Sequence, residues 1–226
     1  MTLDLSLNDL DHVSVNALAD FLKTKQCKLE KLLLSRADLD DPEVVAFMEA
    51  LEHNRTMKLL DLSHNSIGGR AEHMCVGGAT HEHRDGDLGT DAPGGRAVAR
   101  MLELNYNLTS LQLEWNQLGA TSGRAIGRAL RNNNCLTYLN LAYNAIATEG
   151  ALVIGDMLET NTFLNFVDLS YNDIENRGAM VIAEGLHHNG HLRNLKLDGN
   201  PLGFLGGRAV LRSFNHARHA RLVSME

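Results

Sequence analysis

The stretch Leu136-Thr-Tyr-Leu-Asn-Leu-Ala-Tyr-Asn-Ala-Ile146 sets leucines at its first, fourth and sixth positions, an asparagine at its ninth and an aliphatic residue at its eleventh. Its L-x-L core has the period of two that sends alternate side chains to opposite faces of a strand. The same frame starts at Leu108, Leu164 and Leu192, each start 28 residues from its neighbour, and at Leu29 and Met57, again 28 apart. A degenerate first copy keeps Leu3, Leu5, Asn8 and Leu10. Between these motifs, Ala151 to Leu158 and Gly178 to Leu186 carry apolar residues at intervals of three and four, the spacing of an amphipathic helix. Each unit therefore reads strand, turn, helix, and repetition of such a unit at a fixed period reads as a solenoid. Neighbouring strands stack about 4.8 Å apart, whereas packed helices need roughly 8–10 Å between axes. The helical side must splay, so the strands are expected on the concave face.

The string L-x-x-L-x-L-x-x-N-x-L at this period resembles the leucine-rich repeat, in its ribonuclease-inhibitor-like class. The resemblance implies a curved α/β solenoid, a horseshoe with parallel strands on the concave face and helices on the convex face. Residues 1–226 then form a single domain of about seven repeats. The ninth-position asparagines, Asn8, Asn65, Asn116, Asn144, Asn172 and Asn200, are expected to be structural, because an amide both donates to and accepts from main-chain groups inside the stack. Ala37 replaces this residue in the second repeat. Gly150, Gly178 and Gly206 are read as helix openings where a side chain would crowd the adjacent coil.

Composition narrows the function. With 21 Lys+Arg against 28 Asp+Glu the net charge is −7, which disfavours a broad phosphate-neutralising face, so no nucleic-acid partner is expected. Cys27, Cys75 and Cys135 are few and contain no C-x-x-C, which points to a reducing compartment and away from a disulfide framework. The N-terminus is acidic and no apolar run reaches the roughly 20 residues of a membrane span. A cytoplasmic or cytoskeletal location follows as the expectation. There is no G-x-S-x-G, H-E-x-x-H, Walker or dinucleotide fingerprint, so the chain reads as a non-enzyme without cofactor or small-molecule substrate.

One interval breaks the period. From Ile67 to Leu108 there are 41 residues where the regular spacing is 18, an excess of 23. Residues 71–93 are expected to loop out of the third repeat, ahead of a helix starting near Gly95. His73, Cys75, His81 and His83, with Asp85, Asp87 and Asp91 nearby, include metal-ligand types, yet their spacing matches no zinc signature. The favoured expectation is a flexible or partner-ordered loop, with a metal site at His73, Cys75, His81 and His83 or an insertion foreign to the repeats as the alternatives.

Motif positions 2, 3, 5, 7 and 8 are expected to face solvent on the concave side or its rim. Position 8 places Trp115, Tyr143 and Tyr171 on consecutive repeats, and position 3 adds Tyr138 and Phe166. Five of the eleven aromatic residues thus share one side of the array, and aromatics dominate interface energetics. Position 5 contributes Asp61 and Asp168. These seven residues are the expected contacts for a protein partner; the competing reading has the position-8 rings packing on one another at the turn. Two strings, Leu111-Gln-Leu-Glu-Trp-Asn-Gln-Leu-Gly119 and Leu202-Gly-Phe-Leu-Gly-Gly-Arg-Ala-Val210, are similar to the repeat head of centrosomal leucine-rich-repeat, coiled-coil linker proteins. More loosely, they resemble leucine-rich subunits of the axonemal nexin-dynein regulatory complex. That likeness implies an adaptor in a cytoskeletal, centrosomal or ciliary assembly, although no coiled coil follows Asn215. The alternatives are regulation of a small GTPase, because Ran-activator proteins share this repeat type, and a metal-binding loop on a repeat pedestal. At the ends, Val13, Val15, Leu18, Phe21 and Leu22 are expected to form a partly exposed or partner-covered edge, and Arg208, Arg212, Arg218 and Arg221 to make the last helix a polar cap.

Overall fold

The computed structural model describes residues 1–68 and 92–216. Within them, seven three-residue strands alternate with seven helices: β1 (Thr2–Asp4), α1 (His12–Lys23), β2 (Lys31–Leu33), α2 (Asp41–Leu51), β3 (Leu59–Asp61), α3 (Pro93–Leu104) and β4 (Ser110–Gln112) form the first half. The second half runs α4 (Gly119–Leu130), β5 (Tyr138–Asn140), α5 (Ala147–Thr160), β6 (Phe166–Asp168), α6 (Asn176–His188), β7 (Asn194–Lys196) and α7 (Gly203–His216). All seven strands lie in one parallel sheet in sequence order. Each helix packs only on its neighbours in the chain, so the molecule is a curved solenoid with helices outside and strands inside.

The register equates motif position with motif position: Leu3, Leu32, Leu60, Leu111, Leu139, Val167 and Leu195 stand side by side across the sheet. The pairing passes directly from β3 to β4 despite the 23 extra residues between them. His73, Cys75, His81 and His83, and all of the stretch 71–93 before Ala92, lie outside the described residues. Helix α3 begins at Pro93, two residues ahead of the expected start. Proline suits that first turn because its missing N–H would have had no helical partner.

The leucines and valines of the frame line a continuous core from Val15 to Val210. Gly150, Gly178 and Gly206 lie one turn inside their helices instead of opening them. The crowding that requires them is real: a Cβ would stand 2.3 Å from Ile146 Cγ2 at Gly150, 2.9 Å from Ile174 Cγ2 at Gly178 and 2.8 Å from Ala179 Cβ at Gly206.

Two asparagine spines flank this core. In the first, Asn172 donates to the carbonyls of Leu141 and Ser170 at 2.8 and 3.0 Å and accepts from the N–H groups of Asn144 and Ile146 at 3.2 and 3.1 Å. Asn65, Asn116, Asn144 and Asn200 repeat the pattern, whereas Asn8 at the exposed first coil bonds only within its own turn. The second spine is formed by Asn54, Asn105, Asn133, Asn161 and Asn189, each three residues before a motif start. Asn161 donates to Leu130 O at 2.7 Å, the last turn of the preceding helix, and accepts from Phe163 and Leu164 N–H at 2.9 Å. Helix ends leave carbonyls without partners, and this column satisfies one per repeat.

The two ends of the stack differ. At the N-terminal end, Val15, Ala19 and Leu22 are buried while Leu7, Val13 and Phe21 are exposed, an apolar edge as expected. Of the four arginines expected to make the last helix a polar cap, Arg218 and Arg221 lie outside the described residues; the described part of α7 holds Arg208 and Arg212 but leaves Phe204 80% exposed and Leu205 and Leu211 in solvent. Leu211 occupies the position held by Gly127, Gly155 and Ala183, where at Gly127 and Gly155 the following helix closes to backbone distance. No helix follows α7 among the described residues.

Candidate protein-interaction face

The eighth position of every repeat has a left-handed backbone: φ is 62° at Leu7, 53° at Arg36, 56° at His64, 56° at Trp115, 57° at Tyr143, 54° at Tyr171 and 65° at Gly199. Side chains other than glycine rarely adopt this conformation. It is enforced here by the ladder, since each of these N–H groups up to Tyr171 donates to the position-7 carbonyl of the next repeat, as Trp115 does to Ala142 at 3.0 Å and Tyr143 to Ser170 at 2.9 Å. Identical backbone geometry aims every position-8 side chain the same way, and the interstrand spacing is close to the distance at which rings stack.

A continuous stack results. His64 lies over Trp115 with centroids 5.6 Å apart, Trp115 over Tyr143 at 3.9 Å, and Tyr143 over Tyr171 at 4.3 Å, all within 12° of parallel. Tyr171 then covers Gly199, where any Cβ would meet the ring. The rings do pack on one another, yet Trp115 and Tyr171 are each 48% exposed, so the stack is an internal ladder that also presents an aromatic edge. The Tyr143 hydroxyl is pushed above its ordinary range by desolvation first and by the neighbouring Tyr171 hydroxyl second.

A second stack stands on the concave sheet, where Tyr138 and Phe166 lie 4.4 Å apart and 5° from parallel. Lys196 Nζ sits 5.7 Å from the Phe166 centroid and 3.4 Å from Asp168 Oδ2. Asp168 is only 6% exposed and also accepts the Ser170 N–H at 3.0 Å. Glu114 accepts from the Asn140 amide, which buries Asn140. Asp61, half-buried on β3, accepts the Ser63 N–H at 2.9 Å and stands three strands from Asp168. Burial raises the Tyr138 phenol, and the charges of Glu114, Asp168 and Asp61 add to the effect.

The expectation that positions 5 and 7 face solvent throughout needs correction. Asn140 and Asp168 at position 5, and Ser63, Ala142 and Ser170 at position 7, are buried, because polar pairing between repeats and the stacked rings cover them. The structure thus gathers Trp115, Tyr143 and Tyr171 into one strip and Tyr138, Phe166 and Asp168 into another, with Asp61 apart. Sequence reading missed His64, which heads the first stack, Gly199, which ends it, and Glu114 and Lys196, which pair with concave neighbours. Column alignment carried the signal for all four; their partners became visible only in three dimensions. No group of three His, Cys, Asp or Glu residues able to hold a metal ion occurs among the described residues, and no described helix is long and apolar enough to cross a membrane.

This strand–helix array, with the asparagine spine of each coil, defines the leucine-rich-repeat class. The Leucine Rich repeat family matches residues 53–70, 104–127, 132–155 and 160–183, and the chain is a leucine-rich-repeat protein, a class of protein-interaction module. Among curated relatives, human NACHT, LRR and PYD domains-containing protein 12 is 34% identical over 125 residues, covering 53% of this chain and 12% of its own length. Mouse NACHT, LRR and PYD domains-containing protein 4C is 34% identical over 65 residues, covering 29% and 7%. The chain therefore spans about an eighth or less of the length of these relatives. Among solved structures, leiomodin-1 actin-binding site 2 superposes with a TM-score of 0.57 at 22% identity, covering 80% of this chain and 90% of that one. That likeness is one of fold.

Proposed function

We propose that the chain is a non-enzymatic adaptor that captures a protein partner along its concave sheet and aromatic rim, within a cytoskeletal, centrosomal or ciliary assembly. The observation that carries this reading is the half-exposed stack of Trp115, Tyr143 and Tyr171. Its rings are immobilised by one another and by the backbone ladder, so a partner that covers them meets a surface with little conformational freedom left to lose. Tyr138 and Phe166 extend the same face inward, with Asp168 covered beneath Lys196 and Asp61 three strands away. The cytoskeletal setting is supported by the two strings that resemble centrosomal and axonemal repeat proteins, and by the use of this fold in leiomodin-1 actin-binding site 2. A small GTPase is the second partner class to be compared, on the resemblance to Ran-activator repeats.

The test is a quantitative proximity-labelling and pull-down comparison of wild type with the combined Trp115→Ala, Tyr143→Ala, Tyr171→Ala variant. The folded variant is expected to lose a defined set of cytoskeletal partners. An unchanged partner set would remove the rim from the binding surface, and a set dominated by GTPases would replace the cytoskeletal reading.

A further inference from the structure

We propose that the free face of the Tyr138 ring, turned toward β4, is a cation site that receives a lysine or arginine side chain from an extended basic segment of the partner. This rests on the reading of the concave side as the partner surface. The chain already displays the chemistry once, on the other side of the same stack. Lys196 lies over the outer face of Phe166 with Asp168 beside it, the arrangement in which ring quadrupole and carboxylate both favour a cation.

The stack has two ends. Phe166 covers one face of Tyr138 in near-parallel contact, so the opposite face is turned to the preceding repeat. There the register places Ser110, too short to cover a ring, with Leu59 a strand beyond. Glu114 extends from the end of β4 to the Asn140 amide beside Tyr138, and Asp61 lies on the adjoining strand in the same column as Gln112 and Asn140. The charges of Glu114, Asp168 and Asp61 all reach the Tyr138 hydroxyl. At motif positions 3, 5 and 7 of the repeats holding β3 to β6, these three carboxylates are accompanied by no lysine or arginine. Lys196 pairs with Asp168 from β7, and the basic residues on the other side, Lys58 and Lys31, stand just before β3 and on β2. The ring, Glu114 and Asp61 together fit a basic side chain, and strands running across the hollow at about 4.8 Å intervals suit an extended segment that reaches from the Tyr138 site to the Trp115 edge.

The experiment is fluorescence anisotropy with a labelled peptide of alternating lysine and serine, and a glutamate–serine peptide as control, at low and high salt. The lysine peptide is expected to bind and the glutamate peptide not to. Tyr138→Leu should weaken binding about threefold, the scale of one exposed cation–ring contact, and Asp61→Asn with Glu114→Gln by tenfold or more. Glu43→Gln with Glu49→Gln removes the same charge from helix α2 and should leave affinity unchanged; Tyr138→Phe, which keeps the ring, should bind like wild type and holds the test open if the leucine variant unfolds. Equal weakening by the α2 pair, or wild-type binding by both concave variants, would overturn the site, as would failure of the lysine peptide to bind. In the partner-capture assay, loss with the Trp115/Tyr143/Tyr171 variant but not with Asp61→Asn and Glu114→Gln would remove the cation site and leave the adaptor reading standing. Capture insensitive to both would remove both.

Discussion

Tyr171 rests on Gly199: a Cβ built on that glycine would lie 2.3 Å from ring carbon Cε1 and 2.4 Å from Cδ1. Gly199 shares the left-handed φ of its column, at 65°. The aromatic stack thus ends against bare backbone, which explains why the column of His64, Trp115, Tyr143 and Tyr171 stops one repeat short of the last strand.

Gly199→Ala is therefore expected to destabilise the protein by about 1–2 kcal/mol from the left-handed backbone alone, with more from the ring it displaces. Tyr171→Ala made in the same chain should recover the steric part, so the two changes should be non-additive. Chemical denaturation of both single variants and the double variant checks this; strict additivity would place the ring elsewhere.

The interior asparagines should be worth far more than the terminal one. Asn172→Ala leaves the Leu141 and Ser170 carbonyls and the Asn144 and Ile146 N–H groups without their side-chain partner, and each buried unsatisfied group costs about 1–3 kcal/mol. A loss of at least about 3 kcal/mol is expected. Asn8→Ala, which breaks only two exposed bonds within its own turn, should cost less than about 1 kcal/mol. Comparable melting of the two variants would contradict the spine.

Ala147 offers a gain. It holds φ 56° at the twelfth repeat position, where Gly68, Gly119 and Gly203 stand in other coils at 82°, 65° and 64°. Relief of left-handed strain exceeds the extra chain entropy of glycine, so Ala147→Gly should stabilise by about 0.5–1 kcal/mol. A lowered melting temperature would show that the alanine methyl packs usefully instead.

The Tyr138 phenol, raised by burial first and then by Glu114, Asp168 and Asp61, should ionise above free tyrosine in an ultraviolet titration, and Tyr138→Phe should remove that late component. The sign for stability follows. A raised folded-state value means the unfolded chain loses its proton first, so this contribution is complete below about pH 10 and falls as pH rises beyond it. If the alkaline limb of stability is the same in Tyr138→Phe, the phenol is not held in this way.

The core change Leu141→Ala, buried at the sixth position of its repeat, should cost about 2–5 kcal/mol and loosen adjacent coils, because each coil is stabilised only by its neighbours. Hydrogen exchange should locate the loosening in β4 to β6; an effect confined to one repeat would contradict nearest-neighbour coupling.

The fold was legible because its determinants repeat. Leu136 to Ile146 contains the strand, the turn and the asparagine, and 28-residue recurrence of that frame specifies the parallel register without any long-range information. The second spine was open to the same arithmetic, since Asn105, Asn133, Asn161 and Asn189 are also 28 apart, but capping of the previous helix by an upstream amide has no local sequence motif. Column alignment likewise placed Trp115, Tyr143 and Tyr171 at one phase.

What column alignment could not decide was accessibility. Whether Asp168 is open or covered depends on Lys196, 28 residues later, reaching back over Phe166; whether Asn140 is free depends on Glu114 reaching forward. The exposure of Phe204 on α7 was likewise not visible from the arginines of that helix. Periodicity along the chain determined the repeat, its register and the inward leucines, since those follow from strand and helix geometry that is local to each unit. The tertiary structure alone decided which rings stack, where the stack ends and which carboxylates remain exposed, because those outcomes are set by contacts between side chains of different repeats.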